Sequence, residues 1–257
     1  MAAFPGNASI WSTSCGALSD LLVIDAPPQR RVLYGRRRGR SLRGGQKKLM
    51  DGLLPSLAID LPTAGELDLG AIFADPPRSV WLEIGFGGGE HLAALAERHP
   101  DTGLIGCEVF ENGIAKLLGE IKRRRLSNVR MFIDDARLLI AALPTATIAR
   151  VFILFPDPWP KHRHHKRRIV SPDTLDHLAR IMTGGAELQL ATDDPGYFSW
   201  MLECVTGHLA FTWLARRPCD WLERPPNWLP TRYEEKARVA DRPPFFLQAC
   251  RHSRAKA

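Results

Sequence analysis

The chain has 257 residues, of which 45% are hydrophobic, enough to bury the core of one large α/β domain. Its net charge of +7 favours a polyanionic partner, but charge alone does not separate nucleic acid from an anionic membrane. No stretch approaches about 18 uninterrupted apolar residues, so we expect no membrane span. The N-terminus lacks the pattern of a secretory signal, and five cysteines without a Cys-x-x-Cys pair indicate a reducing, cytoplasmic compartment without a zinc site.

The N-terminal part of the chain divides into two segments. Residues 1–29 are small, polar and proline-containing, so we expect a flexible extension there. Lys and Arg residues then recur with no acid among them. Such a run is usually solvated, but basic arms also bind nucleic acid, and both descriptions can hold. We therefore expect residues 30–257 to form one domain with a basic N-terminal arm, in which Arg36, Arg37 and Arg38 contact RNA.

Five apolar runs of strand length each end on an acid, and helix-like stretches separate them. The acids are Glu83, Glu108, Asp135, Asp157 and Asp193. Strands that alternate with helices at this spacing predict a Rossmann-like α/β fold, with a mostly parallel central sheet and helices on both faces. The clearest helices are expected over 90–98, 111–125 and 172–182. Because ligands of such sheets bind outside the carboxyl ends of the strands, we expect the acids to line one edge.

A glycine cluster after the first of these strands indicates which cofactor the edge would bind. Alternate glycines, including Gly85 and Gly87, are typical of a tight turn that a ligand approaches closely. A dinucleotide fingerprint needs glycine in place of Glu90, and no Gly-Lys-Ser/Thr follows, so NAD and ATP are disfavoured. S-adenosylmethionine has no phosphate, and nearby acids attract its sulfonium and ammonium. We expect Glu108 to accept hydrogen bonds from its ribose hydroxyls and Asp135 to meet its adenine amino group.

The run 155–168 places one carboxylate beside an aromatic ring and follows both with dense positive charge. Prolines at 156, 158 and 160 bias the residues before them away from the α region, so Asp157 and Trp159 are expected on a stiff, extended rod. Pro-Asp-Pro alone is more often a plain turn, but eight consecutive Lys, Arg or His residues after it favour a site that acts on a nucleobase. Trp159 either stacks on a splayed base or belongs to the core.

Several motifs together resemble those of the bacterial tRNA (guanine-N7-)-methyltransferases, over roughly residues 30–251. They are Glu-Ile-Gly-Phe-Gly at 83–87, Phe-Pro-Asp-Pro-Trp-Pro-Lys at 155–161, Arg-His-His-Lys-Arg-Arg at 163–168, Ala-Thr-Asp at 191–193 and Thr-Arg-Tyr-Glu at 231–234. The proline-flanked aspartate and its basic tail are highly specific. The resemblance implies a class I methyltransferase fold and methyl transfer from S-adenosylmethionine to a variable-loop guanine of tRNA. Residues 1–29 fall outside it.

The resemblance also implies roles for individual residues. Cofactor-site acids would be Glu83, Glu108, Asp135 and Asp157, and Asp157 also matches the proposed catalytic residue. Substrate-binding positions would be Lys161, Asp193, Thr231, Arg232, Tyr233 and Glu234. An RNA-contacting stretch would consist of Arg163, His164, His165, Lys166, Arg167 and Arg168. Independently of the resemblance, Thr231 is expected to cap a short helix with Glu234 at its third position.

The chemistry of guanine N7 is consistent with these residues. N7 has an exposed lone pair and carries no proton, so no general base is needed, and placement and charge control should dominate. We expect Asp157 to stabilise the positive charge that develops on the purine. Lys161 would donate to O6, while Asp193 or Glu234 would accept from the N1 and N2 hydrogens. No metal is expected, because the histidines lack a convincing ligand context.

Three other functions stay open at this stage. An exocyclic-amine methyltransferase of RNA or DNA uses a related proline-aromatic turn, but the basic tail fits it less well. A small-molecule methyltransferase would not need two basic arms. A non-enzymatic RNA-binding module would explain the charge but not the glycine turn with its acids. We expect tRNA as the partner, no membrane association and no obligatory protein partner.

Overall fold

The structure is a computed structural model, and it describes residues 34–253, so the predicted extension over 1–29 lies outside the described residues. Seven strands form the sheet: β1 Ser79–Ile84, β2 Thr102–Cys107, β3 Val129–Phe132, β4 Ile148–Leu154, β5 Met182–Thr192, β6 Phe211–Trp213 and β7 Phe245–Arg251. The α-helices described are α1 Gly44–Gly52, α2 Leu69–Ile72, α3 Glu90–Arg98, α4 Glu111–Arg124, α5 Ala136–Ala142, α6 Pro172–Ile181, α7 Pro195–Thr206, α8 Cys219–Leu222 and α9 Arg232–Val239. Short 3-10 helices cover Leu54–Ser56 and His162–Arg167.

The sheet has the strand order β3-β2-β1-β4-β5-β7-β6. The first five strands in this order run parallel, and β7 pairs antiparallel with both β5 and β6. The direction of strand addition reverses between β1 and β4, which is the point where open α/β sheets bind ligands. The predicted Rossmann-like, mostly parallel fold is confirmed.

Alternate side chains of the central strands point to opposite faces, and each face has its own core. Leu82 and Ile105 belong to the core that contains residues of α5, α6 and α7. Trp81, Leu104 and Phe152 pack in the second core, together with α3 and α4. Because both faces are covered, the strands are apolar at successive positions, which is the pattern expected of a buried parallel sheet.

The predicted helices form close to their expected limits. α3 covers the whole of 90–98, α4 ends one residue before 125, and α6 ends one residue before 182. The Ser171 side chain accepts a hydrogen bond from the Thr174 N–H at 3.2 Å and so caps α6. Within residues 34–253, no helix is both long and apolar enough to cross a membrane.

Candidate active site

The glycine turn after β1 leaves open space at its first glycine. Gly85 has a φ of 77°, a conformation that side chains rarely adopt, and its N–H donates to the carbonyl of Cys107 at 2.8 Å. A Cβ added at Gly85 would meet nothing within 4 Å, whereas one added at Gly89 would lie 2.6 Å from Leu117 Cβ. The turn is therefore packed on α4 at one end and open at the other, where a ligand can approach the backbone.

Glu108, the residue after β2, is connected to that turn by hydrogen bonds. Its Oε2 accepts from the Gly87 N–H at 2.8 Å, and its Oε1 accepts from the N–H groups of Val109 at 2.8 Å and Phe110 at 3.0 Å. Burial raises the pKa of Glu108, these N–H groups lower it, and the charge of Asp157 raises it, with a net upward shift. A carboxylate has about four acceptor positions, so capacity for a further donor is left.

Glu83 is the most deeply placed of the expected cofactor-site acids. It is 3% exposed, and its Oε2 lies 2.8 Å from Nδ1 of His91, which is itself buried in the first turn of α3. The carboxylate therefore connects β1 to the helix that follows the glycine turn. His91 was not predicted as a site residue; its position directly after Glu90, at the start of a predicted helix, was the available signal.

Asp135 follows β3 and already has partners in the structure. Its Oδ1 accepts from the Arg137 N–H at 3.0 Å, which caps α5, and the Arg137 guanidinium donates to both carboxylate oxygens at 2.8–3.1 Å. Asp135 is buried and Arg137 is partly exposed. An adenine amino group would therefore have to compete with Arg137, a partner that the sequence pattern did not indicate.

The predicted extended rod around Asp157 is wrong. Phe155 has a φ of 52° and Trp159 a φ of 46°, so the chain is left-handed on both sides of the aspartate. The prolines that follow both residues exclude right-handed helix, but tertiary contacts stabilise a left-handed conformation that costs roughly 1–2 kcal/mol per residue. Asp157 is exposed and follows β4, the neighbour of β1 in the sheet. Burial raises the pKa of Glu108 and Tyr233, and the charge of Asp157 adds to both shifts.

Arg168 supports this turn from inside the protein. It is 4% exposed, its Nε donates to the Pro158 carbonyl at 2.9 Å, and its guanidinium lies over the rings of Tyr197 at 4.8 Å and Trp200 at 5.4 Å. The expectation that Arg168 contacts RNA is therefore corrected, because its guanidinium is enclosed by α7. The sequence did not separate this arginine from the basic residues before it.

Trp159 lies at the surface of the turn, in contact with the basic arm. Its ring is half-buried, edge-on to Tyr34 with centroids 6.3 Å apart and to His164 at 6.0 Å. The Arg167 guanidinium lies 4.8 Å from the Trp159 ring and 4.6 Å from the Tyr34 ring. Trp159 is thus neither a core residue nor a free stacking platform.

The rest of the basic tract forms a short 3-10 helix at the surface. Lys161, Arg163 and Lys166 are exposed, and His164 and His165 are partly so. Desolvation lowers the pKa of His164, and the charges of its four basic neighbours lower it further. The tract therefore has a strongly positive potential.

The motif 231–234 places its side chains on two sides of α9. Thr231 Oγ1 accepts from the Glu234 N–H at 3.1 Å, so the predicted cap is confirmed. Glu234 is 3% exposed and contacts Arg224 at 3.2 Å and Arg238 at 3.0 Å, which occupies the carboxylate expected to bind guanine. Tyr233 instead covers the glycine turn, since a Cβ at Gly87 would lie 2.9 Å from its ring.

The remaining predicted site residues lie at the two ends of this edge. Asp193 follows β5, and its Oδ2 is 3.0 Å from the Arg242 guanidinium, so it also has a cationic partner. In the arm, Arg38 Nε is 3.0 Å from Glu111 Oε1, and the Arg36 guanidinium lies 6.0 Å from the Phe110 ring. Arg37 is exposed. The arm therefore lies along the start of α4.

Comparisons with known proteins show which family the chain resembles. Residues 77–247 match a family model described as a putative methyltransferase. A tRNA (guanine-N(7)-)-methyltransferase of Rhodospirillum rubrum is 47% identical over 234 residues, which cover 90% of this chain and 92% of that protein. One of Paramagnetospirillum magneticum is 49% identical over 225 residues, 87% of this chain and 94% of that protein. Among solved structures, an rRNA methylase from Streptococcus thermophilus has a TM-score of 0.47 and 16% identity, covering 68% of this chain and 87% of that chain.

Proposed function

The chain belongs to the tRNA (guanine-N(7)-)-methyltransferase family, and we propose that it transfers the methyl group of S-adenosylmethionine to N7 of a variable-loop guanine of tRNA. One observation supports this most strongly. Glu108 accepts a hydrogen bond from Gly87 in the open glycine turn, and the exposed carboxylate of Asp157 follows β4, which pairs with β1. This arrangement suits a cofactor on one side and an acceptor base on the other.

The residues on the β1 and β2 side suit S-adenosylmethionine, which supplies an electrophilic methyl group on a sulfonium. Gly85 leaves the space that a bound group requires, and Glu108 retains acceptor capacity for ribose hydroxyls. We propose Gly87 and Asp135 as further cofactor-binding residues. Glu83, which is buried against His91, would hold the turn in place.

The residues around the Asp157 turn suit a guanine. N7 attacks the methyl carbon, the carbon–sulfur bond breaks with its electron pair on sulfur, and no proton moves. Asp157 would stabilise the positive charge that develops on the purine. Lys161, which is exposed beyond the turn, would donate to O6, and Asp193 would accept from the base if Arg242 gives way.

The basic surfaces would hold the rest of the tRNA. We propose that the arm residues Arg36, Arg37 and Arg38 contact phosphates, as does the tract at 163–167, from which the buried Arg168 is excluded. From the motif 231–234 we retain Arg232 and Tyr233 as substrate-binding residues, and Thr231 and Glu234 would position them. With tRNA as substrate, we place the enzyme in the cytoplasm and treat 30–257 as its single domain.

A matched pair of tRNA transcripts tests the proposal. The two would be identical except for the variable-loop guanine, which is replaced by adenosine in the control. Incubation with labelled S-adenosylmethionine should label only the first transcript, and mass spectrometry of its nucleosides should identify 7-methylguanosine. Equal labelling of both transcripts, or a product methylated on an exocyclic amine, would contradict the proposal.

A further inference from the structure

Lys116, on α4, lines two neighbouring clefts. The larger has a volume of about 610 Å³ and lies between α1 and α4. The smaller, of about 190 Å³, lies between the glycine turn and α9 and includes Gly87 and Tyr233. Because one residue lines both, the clefts are neighbours on either side of Lys116, and the smaller one adjoins the candidate active site.

The side chains that line these clefts are strongly basic. The cationic ones are Arg43, Lys48, Lys116, Lys122, Arg232 and Lys236, and none of the described lining residues is acidic. The acids of α4 have other partners: Glu111 pairs with Arg38, and Glu120 with Arg123 and Arg124. The positive charge of the clefts is therefore not neutralised by that helix.

Glycines make the wall of the larger cleft accessible to a bulky ligand. Gly45 and Gly119 line that cleft, whereas in the smaller one the Tyr233 ring covers Gly87 and the Glu90 carboxylate lies against Gly88. A Cβ added at Gly45 or Gly119 would meet nothing within 4 Å. In the larger cleft, long cationic side chains therefore lie beside two short stretches of bare backbone, so an extended polyanion can approach closely there.

We propose that the six cationic residues form one surface, the Lys116 strip, that binds the phosphate backbone of tRNA beside the glycine turn. The proposal rests on the proposed function and extends it. Six cations spread over two clefts match several phosphates in series better than one small anion. The strip belongs to α1, α4 and α9, so it is separate in the chain from the tract at 163–167, and together they would hold RNA on both sides of the target base.

The test replaces Lys116 and Lys122 by alanine together. The matched control replaces Arg78 and Arg98, two exposed arginines outside the strip, and changes the net charge equally. Dissociation constants for a tRNA transcript would be measured across a salt series for the wild type and both variants. Each lost phosphate contact should reduce the log–log slope by about 0.7–0.9. The strip variant should bind about tenfold more weakly, whereas the control should match the wild type.

Two further readouts separate this proposal from the proposed function. Affinity for S-adenosylmethionine and turnover at saturating tRNA should be unchanged in the strip variant. If the wild type methylates tRNA but the strip variant and the control have equal slopes, the strip does not bind tRNA. If the wild type does not methylate tRNA at all, the proposed function itself is wrong. Binding of the strip variant to anionic vesicles would be measured as well. If the variant lost vesicle binding but kept tRNA binding, the proposal that the Lys116 strip binds tRNA would be wrong.

Discussion

The two halves of the carboxyl edge position their acids in different ways. On the β1 and β2 side, Glu108 accepts hydrogen bonds from backbone N–H groups, and positive φ angles fall on glycines, which tolerate them. On the β4 side, Asp157 accepts no such set of bonds in the described structure, and positive φ angles fall on Phe155 and Trp159, which do not favour them. The first half is stabilised by local chain geometry and the second by tertiary contacts.

This difference shows where the site is sensitive to change. The strained turn depends on a few contacts: the Phe155 N–H to the Ala191 carbonyl at 2.7 Å, the Arg168 bond to Pro158, and the rings around Trp159. Removing one of them should move Asp157 without disturbing the cofactor half. A substitution confined to one half should therefore leave the other half as an internal control.

Arg168→Lys should produce the largest of these changes. Lysine keeps the charge but loses the planar guanidinium that reaches Pro158 while stacking on Tyr197 and Trp200. A displacement of about 1 Å at the reacting centre costs about 100-fold in rate, so we expect kcat to fall by about that factor. Affinity for S-adenosylmethionine and KM for tRNA should change little in steady-state and binding measurements.

Arg180→Lys is the matched control for that variant. Arg180 also donates from its guanidinium to main-chain carbonyls, those of Leu143 at 2.7 Å and Ile140 at 2.6 Å, but it lies on α6 away from Asp157. Both variants should lose thermal stability, and only Arg168→Lys should lose turnover. A folded Arg168→Lys enzyme with normal kcat would show that the arginine supports the fold alone.

Glu108→Gln should weaken cofactor binding by about 30-fold, since hydrogen bonds to a charged group contribute about 1.5–3 kcal/mol. The glutamine keeps the size of the side chain, but its NH2 group, a donor, replaces one of the two oxygens that accept from backbone N–H groups in the wild type. tRNA affinity should be unchanged. Glu97→Gln, which alters a surface pair with Arg124, is the control. Calorimetric titration with S-adenosylmethionine would measure the affinity of both variants. Equal affinities would show that Glu108 does not bind the cofactor.

Gly85→Ala and Gly185→Ala form a second matched pair, with a smaller expected effect. Both glycines have positive φ, 77° and 81°, and an added Cβ meets nothing within 4 Å at either. Each alanine should therefore cost about 1–2 kcal/mol of stability through backbone strain. Only Gly85→Ala should also weaken S-adenosylmethionine binding, by about tenfold, because its methyl group occupies the proposed cofactor space. Equal cofactor affinity in both variants would show that this space is not used.

The pH dependence of cofactor binding should show the smallest effect. Burial raises the pKa of Glu108 above the ordinary value for glutamic acid, despite its backbone bonds. The cofactor hydroxyls need the ionised form, so affinity should be complete above the raised pKa and fall below it, by at most about tenfold per pH unit. The Glu108→Gln variant should lack this acidic decline. If its titrations follow the wild-type profile, another group is responsible.

The cofactor half was largely predictable from the sequence because its determinants are local. The strand, the glycine spacing and the acid after the next strand fix the positions of Gly85 and Glu108. What the sequence did not indicate are the partners that distant segments supply. These partners decide what each carboxylate is free to bind. They are His91 for Glu83, Arg137 for Asp135, and Arg224 and Arg238 for Glu234.

The half of the edge around Asp157, which we propose binds the base, shows most clearly what could not be predicted from the sequence. Proline rules predicted an extended segment at Asp157, but those rules describe local preference, and contacts with α7 and β5 overcome it by a few kcal/mol. Similarly, Arg167 and Arg168 are identical in a sequence pattern, yet one lies between surface rings and the other is buried behind the turn. A run of basic residues in the sequence indicates a polyanionic partner, whereas packing in the fold decides which of those residues can contact that partner.

Asp157→Asn tests the central claim most directly, because it keeps the shape of the turn and removes only the charge. The measurement is the single-turnover rate of tRNA methylation with both substrates saturating, together with the affinity for S-adenosylmethionine. We predict a rate at least about 100-fold below the wild type, as for loss of one preorganised electrostatic group, with cofactor affinity within about twofold. Asp101→Asn, before β2 at the opposite edge of the sheet, should behave as the wild type. A full rate in Asp157→Asn would contradict the role of this carboxylate in methyl transfer.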